Sequence, residues 1–285
     1  MSNLPEVAFI VPLYNSNLEL LNRSLNSIIN QFYKGNIIIY CILDGENEKI
    51  KSFLENYKIN ISDFTNRKLH IFSKNNSGLA DTLNYGLINS QENYIFRQDD
   101  DDTSLPERVS KTIDTFHKFK NIQVIATSAL IWNSKVEYRT AYKLKNYPSN
   151  KLAQLSLLIC GYNPVCHPTV CFNMKRILEK LGRHKRDIYP NSLTEDHALW
   201  YELALKNIFI HQLPYPSVIY TIRENQYSSY IFSSLSGLYF WRFSIKLLKK
   251  YKFLIVLLFF LFPVLLYRWA RIMLSKLKIF IKDIS

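Results

Sequence analysis

The sequence predicts an α/β fold built on a mostly parallel sheet, and three observations carry that prediction. Short apolar runs at residues 7–11, 37–43, 68–72 and 94–97 alternate with segments that have helical apolar spacing. Three of these runs stop abruptly at polar turns: Pro12-Leu13-Tyr14-Asn15, Asp44-Gly45, and the acidic stretch from Asp99 to Asp102. The chain has 285 residues, 48% of them hydrophobic, which is enough for one large domain with or without an appendage.

The elements follow in order. Residues 7–11 read as a buried strand, and residues 18–31 as a helix with Leu21, Leu25, Ile28 and Ile29 on one face. The second strand, 37–43, leads through Asp44-Gly45 into a helix ending near Tyr57. The third strand, 68–72, passes through Asn75-Asn76-Ser77-Gly78 into a helix over 79–89. Residues 94–97 form the next strand and 106–119 the next helix. Right-handed crossovers then bring the three polar turns to one sheet edge, where open α/β sheets bind ligands. After a strand over 122–132 the alternation fades. Helices over 151–160 and 194–205 follow, with strands at 169–172, 208–213 and 217–222.

Four consecutive carboxylates, Asp99 to Asp102, follow a buried-looking strand. Their mutual repulsion raises their pKa values unless a cation offsets it. Hard oxygen ligands suit Mg²⁺ or Mn²⁺, and Mg²⁺ is commonly held by one or two carboxylates together with substrate phosphates. The plainer alternative is a solvated loop in which Asp102 or Thr103 caps the helix opened by Ser104-Leu105-Pro106-Glu107-Arg108. A cap uses one carboxylate, and this stretch has four.

The sequence has neither a GxGxxG nor a GxxxxGK[ST] pattern and only seven glycines, so dinucleotide and P-loop readings lose weight. Cys41, Cys160, Cys166 and Cys171 show no CxxC spacing and read as buried thiols. No secretory signal is visible at the N-terminus, so the catalytic part is expected in the cytoplasm. The net charge of +13 is concentrated at one end. Ten of the 36 Lys and Arg fall in residues 231–285, where Asp283 is the one acid. They flank an uncharged apolar run at 253–267, a pattern that points to an anionic membrane surface rather than nucleic acid. Fifteen residues of helix reach about 22 Å, short of the roughly 30 Å hydrocarbon core, so the expectation is an interfacial or re-entrant anchor bent at Pro263. A core helix of a soluble domain is the alternative.

Several ordered motifs resemble glycosyltransferase family 2. They are residues 7–15, Ser27-Ile28-Ile29-Asn30-Gln31, Asp44-Gly45, residues 76–84, Arg97-Gln98-Asp99-Asp100-Asp101-Asp102 with Leu105-Pro106-Glu107-Arg108, and residues 194–200. The wording is closest to the bacterial capsule and O-antigen type. The resemblance covers about Val7 to Ser228 and implies a GT-A fold: a Rossmann-like, mostly parallel sheet flanked by helices. It divides the chain into a catalytic domain, 1–230, and a basic, apolar, helical membrane-associating tail, 231–285.

The resemblance also implies roles. Pro12, Tyr14, Asn15 and Asp44 match the base and ribose pocket of a UDP-sugar, and Asn76 and Gly78 match the ribose and diphosphate stretch. Asp99 and Asp101 match a DxD pair that meets sugar or ribose and metal, with Asp102 a supporting ligand to Mn²⁺ or Mg²⁺; Arg97 and Asp100 belong to the donor side. Asp196 matches the base that activates the acceptor, while Glu195, His167 and Trp200 line the acceptor pocket. An N-cap role for 194–196 and a core role for His167 stay open. Two departures stand out: Leu43 replaces the first acid of an Asp-Asp-Gly, and Arg223 replaces a His that could bind metal, leaving Arg223 either gripping diphosphate or on the surface.

The implied activity is inverting, metal-dependent transfer from a nucleotide sugar to a saccharide acceptor, lipid-linked, at the cytoplasmic face of the membrane in surface polysaccharide synthesis. Homo-oligomerisation is left open. A catalytically inactive binding or scaffold protein of the same fold, or a sugar nucleotidyltransferase, are the other classes. The intact Asp99, Asp101 and Asp196 set argues against the first, and the lack of a Gly-rich N-terminal loop against the second.

Overall fold

The computed structural model describes residues 4–135, 142–192, 194–223, 236–252 and 266. Strands β1 (Val7–Leu13) and β2 (Ile37–Asp44) are buried at every position, as strands covered on both faces must be. β1 lies parallel between β2 and β4 (Tyr94–Arg97), and β2 lies parallel to β3 (Arg67–Lys74). In the order β3-β2-β1-β4 the sheet grows first to one side of β1 and then to the other. The crevice of such a sheet opens at the carboxyl ends of its strands, here Leu13, Asp44 and Arg97.

Alternation along β1 sorts its side chains into two cores. Val7, Phe9 and Val11 join α1 (Leu18–Ile29), α2 (Glu48–Asn60) and α4 (Arg108–Lys118) in one cluster, through Leu21, Leu25, Leu54, Val109 and Phe116. Ala8 and Ile10 join α3 (Leu79–Asn89), α5 (Lys151–Ile159), α6 (Met174–Leu181) and α7 (Glu195–Leu205) in the other. Each fully buried Leu or Phe contributes roughly 1.5–3 kcal/mol. Close packing of α3 on the sheet depends on Gly86, where a Cβ would come within 2.6 Å of Ile10 Cγ2.

The expected parallel pairing holds from β3 to β4, and beyond β4 the sheet becomes mixed. β8 (Cys171–Asn173) runs antiparallel to both β4 and β6 (Val124–Asn133). β6 lies parallel to β9 (His211–Ile222) and antiparallel to β7 (Lys143–Lys145). The strands expected at 208–213 and 217–222 form one element, because Pro214 and Pro216 fall where the register slips opposite Thr127–Ala129 rather than in regular ladder.

Two further differences bear on the acidic turn. Neither Asp102 nor Thr103 caps α4: Thr103 and Ser104 form β5, antiparallel to β9, and α4 begins at Arg108 after Glu107 without a side-chain cap. α6 escaped the sequence reading although its apolar positions Ile177 and Leu181 are buried.

Helix α8 (Ser236–Lys250) packs on α5 and α7. Leu247 is fully buried, Ser244 Oγ donates to the Ile159 carbonyl at 3.1 Å, and Tyr251 Oη donates to the Ala204 carbonyl at 2.7 Å. The first part of the segment read as a tail is thus joined to the catalytic body by core contacts. Apart from Leu266, the apolar run at 253–267 and the basic residues after it lie outside the described residues. Among the described residues no helix is long and apolar enough to cross a membrane. All four cysteines are buried, and none is in a disulfide among the described residues.

Candidate active site

At the end of β2, Asp44 is 7% exposed, and its carboxylate accepts from Lys74 Nζ at 2.8 Å, Ser77 N at 2.9 Å and Gly78 N at 3.0 Å. Burial pushes this carboxyl up, yet the Lys74 hydrogen bond and charge with the two amides outweigh it and hold the group below the usual carboxylate range. Pro12 is buried opposite Ile42, while Tyr14 stands 63% exposed at the strand end and Asn15 takes a φ of 49°. Asn76 is exposed and reaches the Asp44 carbonyl at 3.4 Å. A cleft of about 290 Å³ opens beside them, lined by Ser77, Ala80, Asp81, Asn84, Tyr189 and Asn191.

The acidic turn is fixed from below and behind. Gln98 Nε2 donates to the Asp102 carbonyl at 2.8 Å, and Arg108, buried beside the stacked Phe9 and Phe96 rings, donates to Gln98 Oε1 at 2.7 Å and the Arg97 carbonyl at 2.7 Å. Ser24 Oγ donates to the Asp99 carbonyl at 2.8 Å. Arg23 from α1 and Thr221 from β9 both donate to the Asp101 carbonyl, at 2.9 and 2.6 Å. The backbone of the turn is therefore held on three elements.

Carboxylate oxygens of Asp99, Asp101 and Asp102 all lie within 4.8 Å of one another. Asp102 Oδ1 accepts from Thr221 N at 2.8 Å, whereas its Oδ2 is buried with no hydrogen-bond partner. Burial, then Asp99 and Asp100, push Asp101 up to about 7; burial and Asp101 push Asp102 well above the usual range. Three convergent hard oxygens, one of them orphaned, fit an octahedral divalent ion such as Mg²⁺ or Mn²⁺. Arg223, at the end of β9, partly offsets the charge: its Nε lies 2.6 Å from Asp101 Oδ2 and its Nη2 lies 3.9 Å from Asp100 Oδ1.

Arg97 links this cluster to a second one. Its guanidinium is buried, pairs with Asp99, and is held charged by that partner against the cost of burial. The same charge acts on Glu195, Asp196, Tyr189 and His167. Asp196 Oδ1 accepts from His197 N at 2.6 Å and Oδ2 from Asn163 Nδ2 at 2.5 Å. The first turn of α7 supplies the His197 bond, but burial outweighs it and raises Asp196. Burial and the Asp196 charge push Glu195 up to about 8. Thr194 makes no side-chain cap, so the acids of this turn do not serve as a simple N-cap box.

His167 sits in a 3₁₀ turn, its Nε2 2.9 Å from Tyr189 Oη and its Nδ1 3.8 Å from Glu195 Oε1. Burial and Arg97 hold it well below its ordinary pKa, so the imidazole is neutral. Trp200 is 1% exposed and packs edge-on to His167 at 5.8 Å; it supports the pocket from within and has no face for an acceptor.

The site thus unites Asp44, Asn76 and Gly78 on one flank, Asp99 to Asp102 with Arg223 at the centre, and His167, Glu195 and Asp196 on the other. Sequence reasoning missed Lys74, Asn84, Asn163 and Tyr189. Lys74 had a signal, since a lysine ending β3 lies in register with Asp44 ending β2. Asn84 clamps Tyr189 through two backbone bonds of 2.8 and 2.9 Å across 105 residues, which no local pattern announces.

Known proteins share stretches of this sequence and its fold. The model of Glycosyl transferase family 2 matches residues 8–182. The putative glycosyltransferase EpsE of Bacillus subtilis is 28% identical over 225 residues, covering 79% of this chain and 75% of that protein. The UDP-Gal:alpha-D-GlcNAc-diphosphoundecaprenol beta-1,3-galactosyltransferase of Escherichia coli is 26% identical over 206 residues, 69% of this chain and 66% of that protein. S. aureus TarS 1-349 in complex with UDP-GlcNAc shares the fold with a TM-score of 0.60 at 19% identity, over 79% of this chain. Mannosyltransferase PcManGT from Pyrobaculum calidifontis, in complex with GDP-Man and Mn2+, does so with a TM-score of 0.59 at 14% identity, over 81% of this chain. This chain spans 61% of the length of each of those two structures. With the family matched across more than half its length, the chain belongs to glycosyl transferase family 2 and is a glycosyltransferase of GT-A-like fold.

Proposed function

We propose that this enzyme transfers a sugar from a UDP-linked donor to a saccharide acceptor carried on a lipid, with inversion at the anomeric carbon, in building a surface polysaccharide. The single observation that carries the reading is the position of Arg97. Its buried charge acts on Asp99 of the acidic turn and on the Glu195–Asp196 pair alike, so the donor and acceptor sides meet at one guanidinium. The named relatives support the substrate classes, since one acts on a diphosphoundecaprenol-linked sugar and one solved relative holds UDP-GlcNAc.

In this reading Pro12, Tyr14, Asn15 and Asp44 receive base and ribose, and Asn76 and Gly78 line the ribose and diphosphate. The cleft beside Tyr189 and Asn191 takes the sugar to be transferred. Asp99, Asp101 and Asp102 hold Mn²⁺ or Mg²⁺, which when bound neutralises charge on the departing diphosphate. Arg97, Asp100 and Arg223 shape the charge around it. The acceptor hydroxyl attacks C1 from the face opposite the diphosphate, its proton passes to Asp196, and the C1–O bond breaks with its electron pair on the diphosphate. A positioned base contributes roughly 10²–10⁴ in rate. Glu195, protonated at neutral pH, donates a hydrogen bond to the acceptor beside the neutral His167.

The membrane-associating part is proposed to lie after Lys252, because α8 and Tyr251 belong to the packed body. It would hold the enzyme at the cytoplasmic face as a peripheral or monotopic protein. The experiment is a panel of nucleotide sugars offered to the full chain with Mn²⁺ and a lipid-linked saccharide. Release of UDP from one donor, abolished by chelator, is expected. Sugar transfer that is indifferent to chelator, or confined to non-UDP donors, contradicts the reading.

A further inference from the structure

We propose that Asn163 is a positioning residue that aims the Asp196 carboxylate for proton acceptance, an inference that rests on the reading of Asp196 as the base. The chain is built to deliver it. α5 ends at Ile159 with Cys160 as its C-cap, and Gly161 takes a φ of 69° while its N–H donates to the Leu158 carbonyl at 2.8 Å. The Tyr162 N–H closes on the Leu157 carbonyl at 2.7 Å, completing a Schellman motif whose left-handed position favours glycine. That reversal carries the next residue, Asn163, to the first turn of α7. There its Nδ2 donates to Asp196 Oδ2 at 2.5 Å, and its Oδ1 faces Val165 N at 3.4 Å, which sets the amide with its NH₂ toward the carboxylate.

Asp196 and Glu195 are adjacent buried acids in the field of one guanidinium, so something must decide which of them carries charge. The charged and titratable groups around Asp196 are Arg97 of β4, Glu195 of its own helix, Tyr189 of the loop before α7 and Tyr147 of the segment before α5. His167 faces Glu195 at 3.8 Å, beyond hydrogen-bond distance. Asp196 has a donor on each oxygen, His197 N on one and Asn163 on the other. Hydrogen bonds to the charged form favour it, so this arrangement assigns the charge to Asp196 and the proton to Glu195. A general base must be ionised and aimed, and Asn163 contributes to both beside the His197 N–H.

The test uses the full chain with ¹³C-labelled aspartate, the Asp196 signal being identified by its loss in Asp196→Asn. In Asn163→Ala the proton dissociation constant of Asp196 should fall about tenfold, and in Asn163→Asp further, because a like charge replaces a donor. Asn163→Ser, which keeps a short donor, should lie between wild type and Ala, and it replaces Ala if that variant does not fold. Hydrolysis of UDP-galactose by water should show its acid limb displaced in the same order, with KM for the donor unchanged. An Asp196 titration unmoved in Asn163→Ala or Asn163→Ser overturns the proposal. Full transfer by Asp196→Asn would instead overturn the base reading, an outcome the titration does not depend on.

Discussion

Arg223 Nε lies 2.6 Å from Asp101 Oδ2, so a protein guanidinium and a divalent ion would share one carboxylate. The Arg223 side chain is 39% exposed, which limits the pair to about 1 kcal/mol or less. Arg223→Ala should therefore tighten Mn²⁺ binding to the donor-free enzyme by no more than about fivefold. It should also weaken UDP binding in the presence of Mn²⁺, because a phosphate partner is lost. Calorimetric titration of both ligands checks this; weaker Mn²⁺ binding in the variant would show that Arg223 supports the site rather than competes for it.

The pH dependence of stability follows from the raised acids. Asp101 is pushed up to about 7 and Glu195 up to about 8 in the folded chain, both above their unfolded values of 3.8 and 4.5. The folded state then binds more protons than the unfolded state between those limits. Its stability contribution is full below the unfolded pKa and is lost as pH rises through the folded one. Metal-free protein should melt at a progressively lower temperature from about pH 6.5 to pH 8, above the range in which the depressed His167 acts with the opposite sign. Saturating Mn²⁺ should flatten the Asp101 part of that slope, since a bound cation favours the carboxylate. A metal-free melting temperature that rises over this interval contradicts the assignment.

How much was legible from sequence follows from where the signals were local. The strands β1, β2 and β4 and the turns that end them could be read directly, because continuous apolar runs stopping at Pro12, Asp44 and Asp99 are local patterns. The mixed half of the sheet could not: β8 is three residues long, and β5 is two residues that exist only because β9 lies beside them. The acidic turn was visible as four carboxylates, but its support was not. Arg23 and Thr221 hold it through contacts made across the fold. Asn163 was hidden for the same reason, being 33 residues from Asp196.

Truncation after Lys252 should release the protein from anionic vesicles while UDP binding stays unchanged, because the donor flank lies far earlier in the chain. Transfer to a soluble saccharide should survive better than transfer to a lipid-linked one, since an anchor mainly raises local acceptor concentration. Truncation before Leu247 should differ sharply. That residue is fully buried, and losing it with Tyr251 should lower stability by about 2–5 kcal/mol. Vesicle sedimentation and thermal melts separate the two; unchanged vesicle binding after the shorter cut refutes the anchor.

Asp101→Ala should remove nearly all transfer while the fold persists, because the backbone of the turn is held through its carbonyl by Arg23 and Thr221 rather than through the carboxylate. Thermal unfolding should be unchanged or slightly raised, a buried acid with an elevated pKa having been deleted. Donor cleavage that survives in this variant or in excess chelator rules out a metal on the acidic turn.

The most direct test of the account is the transfer rate of Asp196→Asn at saturating donor and acceptor. The variant keeps the size of the side chain and leaves Asp99, Asp101 and Asp102 untouched, so UDP-sugar affinity and Mn²⁺ requirement should match the wild type. The rate should fall by about 10²–10⁴, the contribution of a positioned base. A variant that binds donor normally and still transfers at more than about a tenth of the wild-type rate contradicts the central claim that Asp196 takes the acceptor proton.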